Sequence, residues 1–266
     1  MSPGHDMNQI VGSHDILFVV LDTLRYDVAT SCLETGRTPT LGSLLPGGRW
    51  EERWTPGNFT YAAHQAFFAG FLPTPVGSGP HPRLFAPRFP GSESTAASTW
   101  VIDSPDFVTA LADRGYHTVC IGGTGFFNPS SPLGRVLPGL FRESHWSESL
   151  GVTDPRSTEH QVSLARRVLA QRPADERVFL YVNVSAIHQP NRHYSDAAAD
   201  CVESHAAALE YVDGQLGPLF DVLRERGPTF CLVSSDHGTA YGEDGLHGHR
   251  INHAVVTTVP YAEFVL

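Results

Sequence analysis

No run of about 20 consecutive apolar residues occurs in the 266-residue chain, so no transmembrane helix is expected. Residues 1–9 have neither the basic nor the apolar region of a secretory signal, and the expected location is the cytoplasm. Cysteine is sparse: Cys32, Cys120, Cys201 and Cys231 stand far apart with no CxxC pair. All four read as reduced structural thiols, with Cys120 and Cys231 inside apolar, strand-like runs. Basic patches are also lacking, and a net charge of −10 argues against a nucleic-acid partner. There is no internal repeat, and no irregular segment is long enough for a second domain. One domain over residues 1–266 is expected.

An apolar fraction of 41% and a charged fraction of 17% belong to a soluble globular protein with room for a sizeable core. Strand-length apolar runs fall at residues 15–21, 117–122, 177–185, 229–235 and 260–266. Helical patterns alternate with them. Ser104 and Pro105 open one that runs from Phe107 and stops at Gly115. Residues 158–171 put Val162, Ala165, Val168 and Leu169 on one face, and residues 197–226 form a long stretch with an interruption expected near Gly217 and Pro218. Wholly apolar strands separated by helices imply an α/β fold, its parallel sheet covered on both faces. Residues 72–100 and 125–157 read as irregular excursions that shape a pocket.

The stretch from Phe230 to His249 is the most informative. Its apolar run delivers Asp236 and His237 side by side, and a glycine-rich loop then brings round His247 and His249. A carboxylate beside an imidazole at the end of a buried strand suits a divalent ion such as Zn²⁺. Asp-His-Gly is also common at ordinary strand-end turns. The balance shifts with Asp22, which ends a second apolar run, because ligands of open α/β sheets gather at the carboxyl ends of the strands.

Residues 55–73 read as a loop that becomes a helix near Thr60. A helix start presents free N–H groups and a positive dipole end to a phosphate or sulfate. A hydroxyl there, held by a metal, can ionise near neutral pH and act as a nucleophile. The plain alternative makes Thr60 an N-cap. His64, one turn on, faces the same anion or solvent. His188 emerges after the strand 177–185 at the same sheet edge, or else bonds to backbone. His247 and His253 read as exposed. His193, His205, Asp196 and Asp200 read as a solvated helix start. Asp27 braces the first loop through Arg25, and Asp213 is structural. Arg83, Arg88, Arg135 and His145 are candidates to meet an anionic tail, against a background of scattered surface charge.

Four segments, taken in order, resemble the alkaline phosphatase superfamily, nearest its sulfatase and phosphoethanolamine-transferase group. They are Leu21–Asp27, Thr60–Pro73, Ser185–Pro190 with its His-x-Pro at His188, and Ser235–Gly238. The resemblance runs from about residue 15 to residue 266 and is thin over 75–175. It implies a three-layer α/β/α fold with a mostly parallel central sheet. Residue by residue, it implies Asp22, Asp236 and His237 as metal ligands and Thr60 as both nucleophile and ligand. It places His64 near the transferred group. His188 and His249 would contact substrate or help hold a second metal. Sulfatases oxidise a Cys or Ser, followed by Pro and Arg, to an aldehyde hydrate, which Thr60 and its neighbours cannot supply. Asn183 stands where the transferases often carry another histidine, so a second metal is expected to bind more weakly. Ending at Leu266, the chain resembles a short, cytoplasmic-type member without the superfamily's C-terminal extension.

The expected function is metal-dependent phosphoryl transfer to or from a small anionic phosphate ester, with no nucleic-acid or membrane partner and no indication of oligomeric state. Zn²⁺ is the leading metal, with one tight site and a weaker second; Mn²⁺ and Ca²⁺ stay open. The alternatives are tailoring chemistry on another ester and a member that binds metal or anion without turnover.

Overall fold

The computed structural model describes residues 5–70 and 106–266, and between them the paired strands Phe85–Ala86 and Trp100–Val101. In chain order the strands are β1 (Asp15–Leu21), β2 (Glu51–Trp54), β3 (Phe85–Ala86), β4 (Trp100–Val101), β5 (His117–Ile121) and β6 (Glu143–His145). There follow β7 (Val178–Val184), β8 (Thr229–Ser234), β9 (Ala240–Tyr241), β10 (His247–Gly248) and β11 (Thr258–Val265). The helices are α1 (Met7–Ile10), α2 (Tyr26–Glu34), α3 (Pro39–Leu44), α4 (Thr60–Ala69), α5 (Phe107–Asp113), α6 (Ser157–Ala170), α7 (Val202–Arg226) and α8 (Ala254–Thr257).

Seven strands form the central sheet in the order β2-β11-β8-β1-β7-β5-β6. From β8 through β6 all pairings are parallel, while β11 runs antiparallel to β8 and β2. The sheet is thus mostly parallel, as expected. β11 departs from the parallel rule because no crossover helix separates it from β8, only the small β9–β10 pair with its loops and the single turn α8.

Alternation along β1 divides the core into two layers. Leu17, Val19 and Leu21 pack with Leu209, Val212 and Leu216 of α7, on the face that also carries α2, α3 and α6. Ile16, Phe18 and Val20 point the other way, into an aromatic layer with Tyr61 and Phe68 of α4, Phe141 and Tyr181. With every β1 side chain buried, its sequence is apolar from Ile16 to Leu21.

Several helices differ in detail from expectation. α7 crosses Pro218 without a break; burial of Leu216, Leu219, Phe220 and Leu223 holds it through the missing N–H. It starts at Val202, with Cys201 and Ser204 closing a capping box. α5 starts after Asp106, whose side chain accepts from the Thr109 N–H; Ser104 and Pro105 lie outside the described residues. The segment 125–157 is less irregular than expected, because Glu143–His145 adds the edge strand β6. Asp213 is structural: its two oxygens accept from the N–H groups of Thr40 (2.9 Å) and Leu41 (2.8 Å), capping α3.

Candidate active site

Three parallel strands end at one edge of the sheet. Asp22 follows β1, Ser185 follows β7, and Asp236 stands two residues beyond β8. The register places Val20 between Asn183 and Ser234, which brings these ends together. Immediately after Asp22, Thr23 adopts φ 64°, a left-handed conformation that costs a threonine on the order of 1–3 kcal/mol. The turn points the Thr23 N–H at Asp236 Oδ1, 3.1 Å away, and that oxygen also accepts from the His237 N–H at 3.0 Å.

Asp22, Asp236 and His237 each offer a ligand atom, all within 4.8 Å of one another and all from fully buried residues. Asp22 Oδ2 accepts from Asn183 Nδ2 at 3.0 Å. Asp22 Oδ1 and Asp236 Oδ2 are buried without a hydrogen-bond partner among the described residues. Burial holds both carboxyls above their usual range, and the charge of Asp236 raises Asp22 further. His237 donates from Nδ1 to the Gly238 carbonyl at 2.8 Å, which leaves the Nε2 lone pair facing the cluster. Burial also lowers its pKa and keeps it neutral. Two buried carboxylates with orphaned oxygens are costly unless a cation meets them. Two carboxylates, an imidazole and a hydroxyl fit Zn²⁺.

Thr60 supplies that hydroxyl. Its Oγ1 lies 3.4 Å from Asp22 Oδ2 and 3.4 Å from His237 Nε2. The N-cap of α4 is Phe59, without a side-chain cap, so Thr60 is the first helical residue and its hydroxyl does not cap. The entry loop is set by Gly57, where a Cβ would lie 2.5 Å from the Ala63 nitrogen. Thr55 ties the same loop to the Asp236 carbonyl.

The predicted histidines divide. His249 comes close: its ring centroid is 4.7 Å from that of His237 and 5.5 Å from that of His188. Its Nδ1 is buried without a partner among the described residues. Burial and the nearby charges of His237, His188 and Arg250 push its pKa down to about 3. His188 bonds backbone through Nδ1, to the Gln189 carbonyl, and still lines the same cleft. His64 does not face solvent, and its Nδ1 lies 3.9 Å from Asp236 Oδ2. Fully buried behind Thr60, it donates from Nδ1 to the Thr60 carbonyl at 2.6 Å and bonds the Tyr181 hydroxyl through Nε2. Burial takes its pKa to about 3, with His237 adding. His64 therefore holds the Thr60 turn in place.

Asn183, besides its bond to Asp22, and Ser185 are committed to neighbouring backbone. Asn183 Oδ1 accepts from the Gly123 and Thr124 N–H groups (3.3 and 3.1 Å), and Ser185 donates to the Leu150 carbonyl at 2.8 Å. His247 is exposed on β10, and His253 caps α8 through Nδ1. His205 is fully buried rather than solvated, accepting from the Arg25 N–H at 3.3 Å and bonding the Tyr241 hydroxyl at 3.0 Å. The loop around His249 has an anchor that sequence reading missed. Buried Arg25 pairs with Asp27 at 2.6 Å, as expected, and also with Glu243 at 2.5 Å.

Beside Thr60 opens a cleft of about 400 Å³ lined by His188, His249, Phe126, Leu133 and Arg250. Of the expected anion contacts, Arg135 instead bonds the Pro129 carbonyl and His145 bonds Glu143. Arg83 and Arg88 lie outside the described residues. The missed cation, Arg250, sits next to His249 in sequence, which was the available signal.

No curated protein matches the chain. Its structural neighbours include a protein of the alkaline phosphatase superfamily from Vibrio parahaemolyticus, with a TM-score of 0.59 at 15% identity, over 95% of this chain and 60% of that one. The C-terminal periplasmic domain of phosphoethanolamine transferase EptC from Campylobacter jejuni superposes with a TM-score of 0.61 at 14% identity, over 95% of this chain and 79% of that one. The corresponding domain of Escherichia coli EptC, solved in complex with Zn, gives 0.63 at 13%, over 95% and 72%. Lipoteichoic acid synthase LtaP from Listeria monocytogenes gives 0.62 at 13%, over 95% and 65%. At these identities the likeness is one of fold. The sulfatase family model matches residues 14–261, a span that contains every member of the cluster and of the cleft, and the chain belongs to that family.

Proposed function

We propose that the chain is a metal-dependent phosphoryl-transfer enzyme, a phosphatase, phosphodiesterase or phosphotransferase, with Thr60 as its nucleophile. The observation that carries this reading is the Thr60 hydroxyl at the start of α4, in reach of Asp22 Oδ2 and His237 Nε2 and surrounded by orphaned carboxylate oxygens. A Zn²⁺ ion held by Asp22, Asp236, His237 and Thr60 would supply charge to acidify the hydroxyl and to offset the phosphoryl oxygens. Threonine favours phosphoryl over sulfuryl chemistry here, because its Cβ methyl prevents conversion to an aldehyde.

Asp22 Oδ2 is placed to take the Thr60 proton. Thr60 Oγ1 bonds to phosphorus as the bond from phosphorus to the ester oxygen breaks on the opposite side. The first-turn N–H groups of α4 meet the phosphoryl oxygens. The departing alkoxide leaves into the cleft lined by His188 and His249 and takes its proton from solvent there. In the second half, water or an acceptor alcohol enters from the same side and releases its proton to solvent. Its oxygen bonds to phosphorus, the bond to Thr60 breaks, and Thr60 regains the proton held by Asp22.

The test is turnover of aryl phosphate mono- and diesters by metal-loaded protein, with mass spectrometry of the α4 peptide for a phosphoryl group. Thr60→Ala is expected to lose roughly a thousand-fold or more in kcat. Full activity in that variant would sink the covalent route.

A further inference from the structure

The cleft beside Thr60 has two chemically different ends. Its inner end is polar and closed: Thr60 is 2% exposed and Thr124 is 6% exposed. The Thr124 hydroxyl is buried without a hydrogen-bond partner among the described residues, although it lines this space. Phe126, Leu133 and Val152 give the cleft apolar walls. The outer end carries Arg250, an exposed residue whose position is fixed in three ways. Its backbone adopts φ 69°, its N–H donates to the Asn58 carbonyl at 2.8 Å, and its guanidinium stands 5.3 Å from the Phe59 ring centroid. Among the described residues, no carboxylate pairs with it. A guanidinium held over an aromatic face is a reader of anions. The volume of about 400 Å³ is that of a small-molecule site.

We propose that this cleft selects phosphate esters whose alcohol part is a compact aromatic or apolar group bearing a second negative charge, with Arg250 as the residue that reads that charge. The proposal rests on the phosphoryl-transfer reading for the reacting end. It assigns to Arg250 the discrimination among esters, in a chain whose net charge of −10 otherwise repels doubly anionic ligands.

The test compares equilibrium binding of phenylphosphonate and 4-carboxyphenylphosphonate to Zn²⁺-loaded protein, which does not depend on turnover. The carboxylated probe is expected to bind about twofold to fivefold more tightly, the scale of an exposed ion pair, with the gap shrinking as salt rises. Arg250→Gln should bring the ratio to about one, and Arg250→Lys should keep part of it. A ratio near one in the wild-type protein, no binding of either probe, or a preference that survives Arg250→Gln would overturn the assignment. Turnover of phenyl phosphate, followed separately, judges the underlying reaction: binding with the expected ratio but no turnover would sink the reaction and leave the anion site standing.

Discussion

Asn183, on β7, donates its amide to Asp22 Oδ2 at 3.0 Å across the strand boundary, while its carbonyl holds the N–H groups of Gly123 and Thr124. One side chain therefore orients the carboxylate and ties down the loop that floors the cleft. A Cβ at Gly123 would lie 2.4 Å from the Asn183 carbonyl, so the loop and the strand have no room between them. Asn183→Ala would orphan two buried donors and free one carboxylate oxygen, at about 1–3 kcal/mol for each group left unpaired. A loss of about 3 kcal/mol or more in chemical denaturation is expected, together with reduced turnover. A loss below about 1 kcal/mol would mean that water fills the gap and that the amide does not hold the loop.

What was legible in the sequence follows from how each part is stabilised. β1, β7 and β8 are covered on both faces and read as mostly apolar runs. Asp22 and Asp236 stand out because each ends such a run with a charge. The edge strands β2 and β6 do not stand out, since Glu51–Trp54 and Glu143–His145 are polar and pair only because a neighbour offers an open edge. The Arg25–Glu243 pair joins residues 218 apart, a distance that no local pattern reports. His205 looked solvated because its helix start is polar; the Tyr241 loop that covers it comes from elsewhere in the chain.

The two carboxylates should make the metal-free protein less stable than the fold alone would be. Asp22 and Asp236 are fully buried, each has an oxygen without a partner among the described residues, and burial disfavours the charged form of both. Asp236→Asn removes one charge from the pair. In the presence of a chelator it should melt higher than wild type, by about 1–2 kcal/mol or ~2–6 °C. Added Zn²⁺ should raise the wild-type melting temperature and leave the variant unmoved. A variant less stable than wild type under chelation would refute the buried-charge account.

The loop that carries His249 should loosen in acid. Burial would raise the Glu243 pKa, but hydrogen bonds from Arg25 and from the Tyr241 N–H outweigh it and hold the carboxyl at about 2, against 4.5 unperturbed. A depressed acid stabilises the fold above its unfolded value and loses that contribution as pH falls through the folded value. The gap in stability between wild type and Glu243→Gln should therefore be constant at neutral pH and shrink between about pH 4.5 and pH 2. Urea melts at pH 7 and pH 3 measure it. An equal gap at both values would show that the ion pair with Arg25 is not its source.

Metal stoichiometry gives the last test. Asp22, Asp236, His237 and Thr60 supply two carboxylates, an imidazole and a hydroxyl, enough for one four-coordinate ion. A second ion would have to rely on His188 and His249, because Asn183 is committed to Asp22 and the Gly123–Thr124 loop, and Ser185 to Leu150. Two neutral imidazoles hold a divalent cation poorly unless substrate oxygens complete the shell. One equivalent of Zn²⁺ should survive dialysis of the wild-type protein, and the same equivalent should survive dialysis of His188→Ala. A second should appear only with excess metal and be the first to leave on dialysis, because two imidazoles alone hold it. Elemental analysis after stepwise dialysis decides the matter. Two equally tight equivalents, both retained by His188→Ala, would require ligands outside this set.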